Sequence, residues 1–130
     1  MTLQQHLLNA LHAALIAASV AAASAAMAHG TPDPQHGGVV QTASDIGFEL
    51  VVTADGAAIY VTDHDEDYDT SRLSGTITVL NGAEKSEAAL KPAGGDKLQA
   101  QGVKLGKGTK VVAVLNTDGG KPITVRFTVR

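Results

Sequence analysis

The chain has no cysteine and no tryptophan. No disulfide can staple it, and no thiolate can act as nucleophile or metal ligand. Both methionines, Met1 and Met27, lie at or before position 28. A chain cut after Ala28 therefore holds no sulfur, which excludes the soft donors that favour Cu(I). Aromatics are scarce: only Phe48, Tyr60, Tyr68 and Phe127 occur. The core must then be built mostly from Val, Ile, Leu and Ala, and a base- or sugar-stacking surface is disfavoured.

Charge is missing from one region altogether. Residues 1–28 contain no Asp, Glu, Lys or Arg. Within them, Ala13 to Ala26 is apolar except for Ser19 and Ser24, and the stretch closes on Ala26-Met27-Ala28. That small-x-small ending is what signal peptidase reads. Only the α-amino group and His6 can supply the positive n-region. A membrane span needs about 20 strongly apolar residues, whereas this run is broken by Asn9 and His12 and thinned by alanine. The expectation is a cleaved signal-peptide helix over 1–28, export to the bacterial periplasm or beyond, and no membrane span after cleavage.

The remainder, 29–130, carries all 10 Lys+Arg and all 13 Asp+Glu, for a net charge of −3 with His neutral. Nucleic acid would favour a basic face, so it is not an expected partner. Catalytic signatures are absent too: no G-x-S-x-G, phosphate loop, H-E-x-x-H or dinucleotide fingerprint occurs. No serine is recognisably paired with a histidine and a carboxylate. The chain is not expected to be an enzyme.

What is present is alternation. Phe48, Leu50 and Val52 alternate with Glu49, Val51 and Thr53; Ile59 and Val61 flank Tyr60; Ile77 and Val79 flank Thr78. The cleanest run sets Ile123, Val125, Phe127 and Val129 against Thr124, Arg126, Thr128 and Arg130. A period of two marks half-buried strands, because successive side chains leave opposite faces of a sheet. Turn signals divide the runs: Asp55-Gly56, Asn81-Gly82, Gly94-Gly95-Asp96, Gly106 with Gly108, and Asp118-Gly119-Gly120. Asn-Gly and Asp-Gly suit two-residue hairpins that need positive φ. Strands are expected over 38–42, 46–54, 57–63, 74–81, 84–91, 96–102, 109–116 and 122–130. They predict an all-β fold, an immunoglobulin-like antiparallel β-sandwich of seven or eight strands over 39–130. A small barrel is the main alternative. Residues 29–38, with Pro32, Pro34 and three glycines, read as a flexible lead-in.

Histidine is the informative residue type. Beyond residue 28 there are His29, His36 and His64. Cleavage after Ala28 would make His29 the N-terminus, so its α-amine and imidazole could chelate one ion together; that grip suits Cu(II). The bland alternative is the first residue of a loose terminus. His36-Gly37-Gly38 precedes the first strand, where glycines allow close approach to a ligand or simply make a turn. His64 lies in Asp63-His64-Asp65-Glu66-Asp67-Tyr68-Asp69. So dense a negative patch repels itself unless it is solvated or neutralised by a cation. An EF-hand loop is excluded: Tyr68 stands where glycine is required, and Ser74 where the bidentate glutamate is required. A solvated acidic hairpin loop and a cation site both remain open.

The order of these segments carries a resemblance. A leader is followed by His36-Gly37-Gly38-Val39-Val40, then Phe48-Glu49-Leu50-Val51, Tyr60-Val61-Thr62-Asp63-His64 and Ser74 to Leu80. This resembles small exported β-sandwich proteins found among bacterial heavy-metal resistance functions. It is also similar to the histidine-rich leading segments of periplasmic metal-efflux adaptors. The likeness spans most of residues 36–130 through short motifs, and it implies periplasmic handling of copper or a related divalent metal. A weaker likeness is to the CopC-type periplasmic copper carriers, which start at a histidine after cleavage and fold as β-sandwiches. Their last strand is similar to Lys121-Pro122-Ile123-Thr124 through Val129. Their Asp-x-His pair has no counterpart in Asp118-Gly119-Gly120-Lys121, so only His29 carries over.

Together these observations lead to the expectation of a periplasmic, non-catalytic metal-binding module for copper or zinc. His36 and His64 would be the main ligands, helped by His29 and by Asp63 or Asp65. A periplasmic metal-efflux component would be a partner. The alternatives are a metal-free exported interaction domain and a calcium-stabilised sandwich using the 63–69 loop.

Overall fold

The computed structural model describes residues 30–130. The expected signal peptide over 1–28, and His29, lie outside the described residues.

Each alternating run becomes a strand. The strands are β1 (Val39–Ala43), β2 (Ile46–Thr53), β3 (Gly56–Asp63), β4 (Glu66–Asp67), β5 (Ser74–Asn81), β6 (Glu84–Pro92), β7 (Lys97–Gln101), β8 (Lys110–Asn116) and β9 (Ile123–Thr128). All pairings are antiparallel, in the order β1-β2-β3-β7-β6-β5-β8-β9, with the short β4 added to β3. This is the expected all-β architecture, a sandwich nearly closed into a barrel. β6 belongs to both layers. Its first part pairs with β5, whereas its end pairs with β7 only through Lys91 and Pro92. Pro92 has no N–H to offer a ladder, so it suits the end of a strand that is leaving its sheet. β1 and β9, the ends of the strand order, lie against each other without a shared ladder among the described residues.

The interior holds the apolar half of each alternation: Ile59, Val61, Ile77, Val79, Leu98, Val111 and Leu115 are fully buried, joined by Phe48, Leu50, Leu90, Val125 and Phe127. In β9 the pattern holds as read, with Val125 and Phe127 in and Thr124, Arg126 and Thr128 out. In β2 it does not. Val52 is 45% exposed, whereas Glu49 is only 5% exposed. Alternation sorts residues by face, but both faces of β2 are covered at Glu49 because the lead-in lies across the outer one.

Turn chemistry explains the hairpins, with two departures. Asp55-Gly56 is not the turn pair. The ladder closes at Thr53↔Gly56, so the loop is Ala54-Asp55 and Gly56 is the first residue of β3. A Cβ on Gly56 would press into the Ala100 carbonyl oxygen of β7, so this glycine is there for close approach rather than for positive φ. Gly82, by contrast, does take positive φ (58°) as the first of two loop residues after Asn81. The other departure is that two further hairpins place non-glycine residues at positive φ. Ser44-Asp45 and His64-Asp65 occupy the two-residue loops, with φ of 53°, 62°, 49° and 65°. Positive φ at both central residues is the type I′ arrangement, whose twist matches the flanking strands.

The acidic stretch is more ordered than a loop. It folds back as β4 and continues into a one-turn 3-10 helix, Thr70–Arg72. Asp69 caps that turn by accepting from the Ser71 N–H at 2.9 Å. Thr70 is fully buried, and its hydroxyl lies 2.9 Å from the Gly95 carbonyl and 3.0 Å from that of Lys97. The turn is thereby fastened to the β6–β7 connection.

Candidate functional site

The chemistry gathers on the outer face of β2 and β3. Their register aligns Val40, Glu49, Tyr60 and Lys97 in one row across β1, β2, β3 and β7. The next row on that face sets Gly47 opposite Thr62, and Thr62 opposite Asp67. Gly47 presents no side chain, which leaves the floor of this face low beside Thr62.

The lead-in docks onto this row through Glu49. One carboxylate oxygen, Oε1, accepts from the Gln35 N–H (2.9 Å) and the His36 N–H (3.1 Å). The other, Oε2, accepts from the His36 N–H (2.8 Å) and the Gly38 N–H (2.9 Å). Gly37, at φ 71°, turns the chain so that the amides on either side reach the same carboxylate. Such a run of N–H groups is an anion-binding concavity, filled here by the protein's own side chain. Burial pushes the Glu49 carboxyl up. The hydrogen bonds from Gly38, Gln35 and His36 outweigh that and hold it below its ordinary value of 4.5.

His36 is gripped twice. Its ring stacks on Tyr60, with centroids 3.6 Å apart and planes within 7°. Its Nδ1 lies 3.1 Å from Glu49 Oε1. An ionised carboxylate can only accept, so Nδ1 carries the hydrogen and Nε2 keeps its lone pair. Lys97 Nζ stands 6.0 Å from the Tyr60 centroid, at the outer limit of a cation–π contact.

Around His36 lies an open cleft of about 500 Å³, whose polar walls include Asp33, Asp65, Asp67 and Asp96. Its acidic lining and single imidazole can attract a cation. Among the described residues, however, no three His, Asp or Glu side chains are grouped closely enough to hold a metal ion.

The sequence candidates therefore fall in three places. His36 and Asp65 share the cleft. His64 is not on its wall. It is the first residue of the β3–β4 turn, its side chain is 84% exposed, and its Nδ1 is 2.5 Å from Asp63 Oδ1. Asp63 faces that histidine and the neighbouring shallow depression lined also by Glu66, Asp69 and Arg72. His29 lies outside the described residues. Two participants escaped the sequence reading: Glu49, taken there only as the polar partner in an alternating strand, and Tyr60. A carboxylate amid the apolar run Phe48-Glu49-Leu50-Val51 was the available signal, since buried charge needs partners.

No family model, curated protein or solved structure matches the chain.

Proposed function

We propose that the domain is an exported, non-catalytic module that binds a divalent metal ion, Cu(II) or Zn(II), at the His36 cleft, and that it serves metal handling in the periplasm. The observation that carries this reading is the Glu49–His36 pair. Histidines that ligate metals almost always donate their other ring N–H to a carboxylate or carbonyl, which fixes the tautomer and raises the basicity of the free nitrogen. His36 has that arrangement, on the wall of a cleft that Asp65 and Asp67 also line. Nitrogen with carboxylate oxygen suits Zn(II) and Cu(II). Residues 29–130 contain no sulfur, which disfavours Cu(I). His64 with Asp63 forms a separate exposed pair outside the lining of this cleft. Water would fill the remaining coordination positions.

Calorimetric titration of residues 29–130 with Zn(II) and Cu(II) tests this. Saturable 1:1 binding near or tighter than about micromolar (about −8 kcal/mol) is expected, weakened at least tenfold in His36→Ala. Equal binding by wild type and His36→Ala would exclude the cleft. A metal-free interaction domain is the competing reading, favoured by the incomplete ligand grouping. It predicts no saturable uptake of either ion.

A further inference from the structure

We propose that Glu49 is the positioning residue of the metal site, and that ion binding at His36 and docking of the lead-in are two halves of one equilibrium. This rests on the metal-binding reading above and names how that site is regulated. Every hydrogen bond from Gln35, His36 and Gly38 to the strands runs to the one Glu49 carboxylate. The same carboxylate sets the His36 ring by taking its Nδ1–H. Tyr60 fixes the plane of that ring by stacking. The His36 ring is therefore held on the wall of the acidic cleft, with Nε2 as the nitrogen left to ligate, only while residues 35–38 are docked.

A ligand that needs the docked arrangement must stabilise it. Linkage makes this reciprocal: whatever loosens the lead-in weakens the ion, and the ion tightens the lead-in. Gly38 contributes sterically. A Cβ there would run into the Leu50 carbonyl, so the chain after His36 can lie flat on β2 only with glycine at this position. The histidine, the two glycines and the glutamate thus form one device, built from two segments more than ten positions apart in sequence.

Amide exchange and ring ¹⁵N spectroscopy on the 29–130 chain test the proposal, with Zn(II) alone as the probe. In the metal-free wild type, at a pH where the ring is neutral, the His36 proton should sit on Nδ1. In Glu49→Ala, which leaves no acceptor beside Nδ1, it should move to Nε2, whereas in Glu49→Gln the side-chain carbonyl can still accept and keep it on Nδ1. Saturating zinc should slow exchange of the Gln35, His36 and Gly38 amides in wild type by about tenfold or more. Zinc affinity should fall about 10- to 100-fold in Glu49→Gln. The wild-type exchange measurement needs no variant, so a misfolded Glu49→Gln leaves the proposal testable. Zinc that binds without slowing those amides, or a wild-type proton already on Nε2, overturns it. A wild type that binds no zinc overturns the metal reading and its coupling. The tautomer measurement still decides separately whether Glu49 sets the ring.

Discussion

Single side chains hold this site, and their contributions separate by chemistry. Glu49 stays ionised because four N–H donors face it, which more than offsets its burial. A carboxyl whose folded value lies below its unfolded one stabilises the native state fully above the unfolded value. That contribution is lost as pH falls through the folded value. The amide resonances of His36 and Gly38 are therefore expected to be constant above about pH 4.5 and to titrate below it. Glu49→Gln should abolish that titration. Thr70 acts by a different means. Its hydroxyl reaches two carbonyls from a fully buried position, and Thr70→Val removes that hydrogen bond while the Gly95 and Lys97 carbonyls keep the Thr70 and Ala93 amides as donors. Thermal melting should report a loss of about 0.5–1.5 kcal/mol. Glu49 also shows where reading residues in sequence stops. Its type and position were visible, but its burial depends on a segment more than ten positions earlier folding back over it.

At the scale of elements, the turns decide where the acidic residues go. His64 and Asp65 both hold positive φ in the β3–β4 loop, a conformation that costs most residues about 1–2 kcal/mol. His and Asp tolerate it better than most. The paired replacement His64→Asn with Asp65→Gly supplies the preferred type I′ residues. It should raise the melting temperature by about 4–8 °C for each 1 kcal/mol gained. If Asp65 is a ligand, the same variant also weakens zinc, whereas His64→Asn alone leaves affinity within about twofold. All eight expected strands were legible, and β1, β2, β3, β5, β6, β7, β8 and β9 lie within two residues of their expected bounds. β4 was not, because Glu66 and Asp67 carry no apolar pattern and form a strand only by pairing with Thr62 and Asp63. Gly56 was legible as a special position but for the wrong reason: its role is set by Ala100, which follows it by a long stretch of chain.

For the whole molecule, stability rests on one aliphatic interior shared by two layers. Leu98 of β7 is fully buried where β3 and the end of β6 meet it. Leu98→Ala removes that contact and leaves a cavity, at a cost of about 2–5 kcal/mol. Urea unfolding should show this as a lower midpoint with an unchanged slope. Such a loss is a large share of the about 5–15 kcal/mol that holds a typical domain. Bound metal should act in the opposite direction. At a free zinc concentration about 100 times the dissociation constant, linkage adds about 2.7 kcal/mol to the folded state. The melting temperature of wild type should then rise with zinc, and that of His36→Ala should rise by half as much or less.

The sequence by itself determined the all-β class, the position of most strands, which residues of β9 face inward, and the absence of thiol chemistry. These follow from local facts, since side chains alternate along a strand and composition limits donor types. The tertiary structure decided what local facts cannot carry. It set the strand order, with β7 placed between β3 and β6 and β5 beside β8. It placed His36 and Asp65 on one cleft while leaving His64 outside it. It also turned an ordinary-looking glutamate in β2 into the anchor of the lead-in. Each of these rests on pairing between distant segments, where backbone hydrogen bonds and buried charge must find partners that no local pattern names.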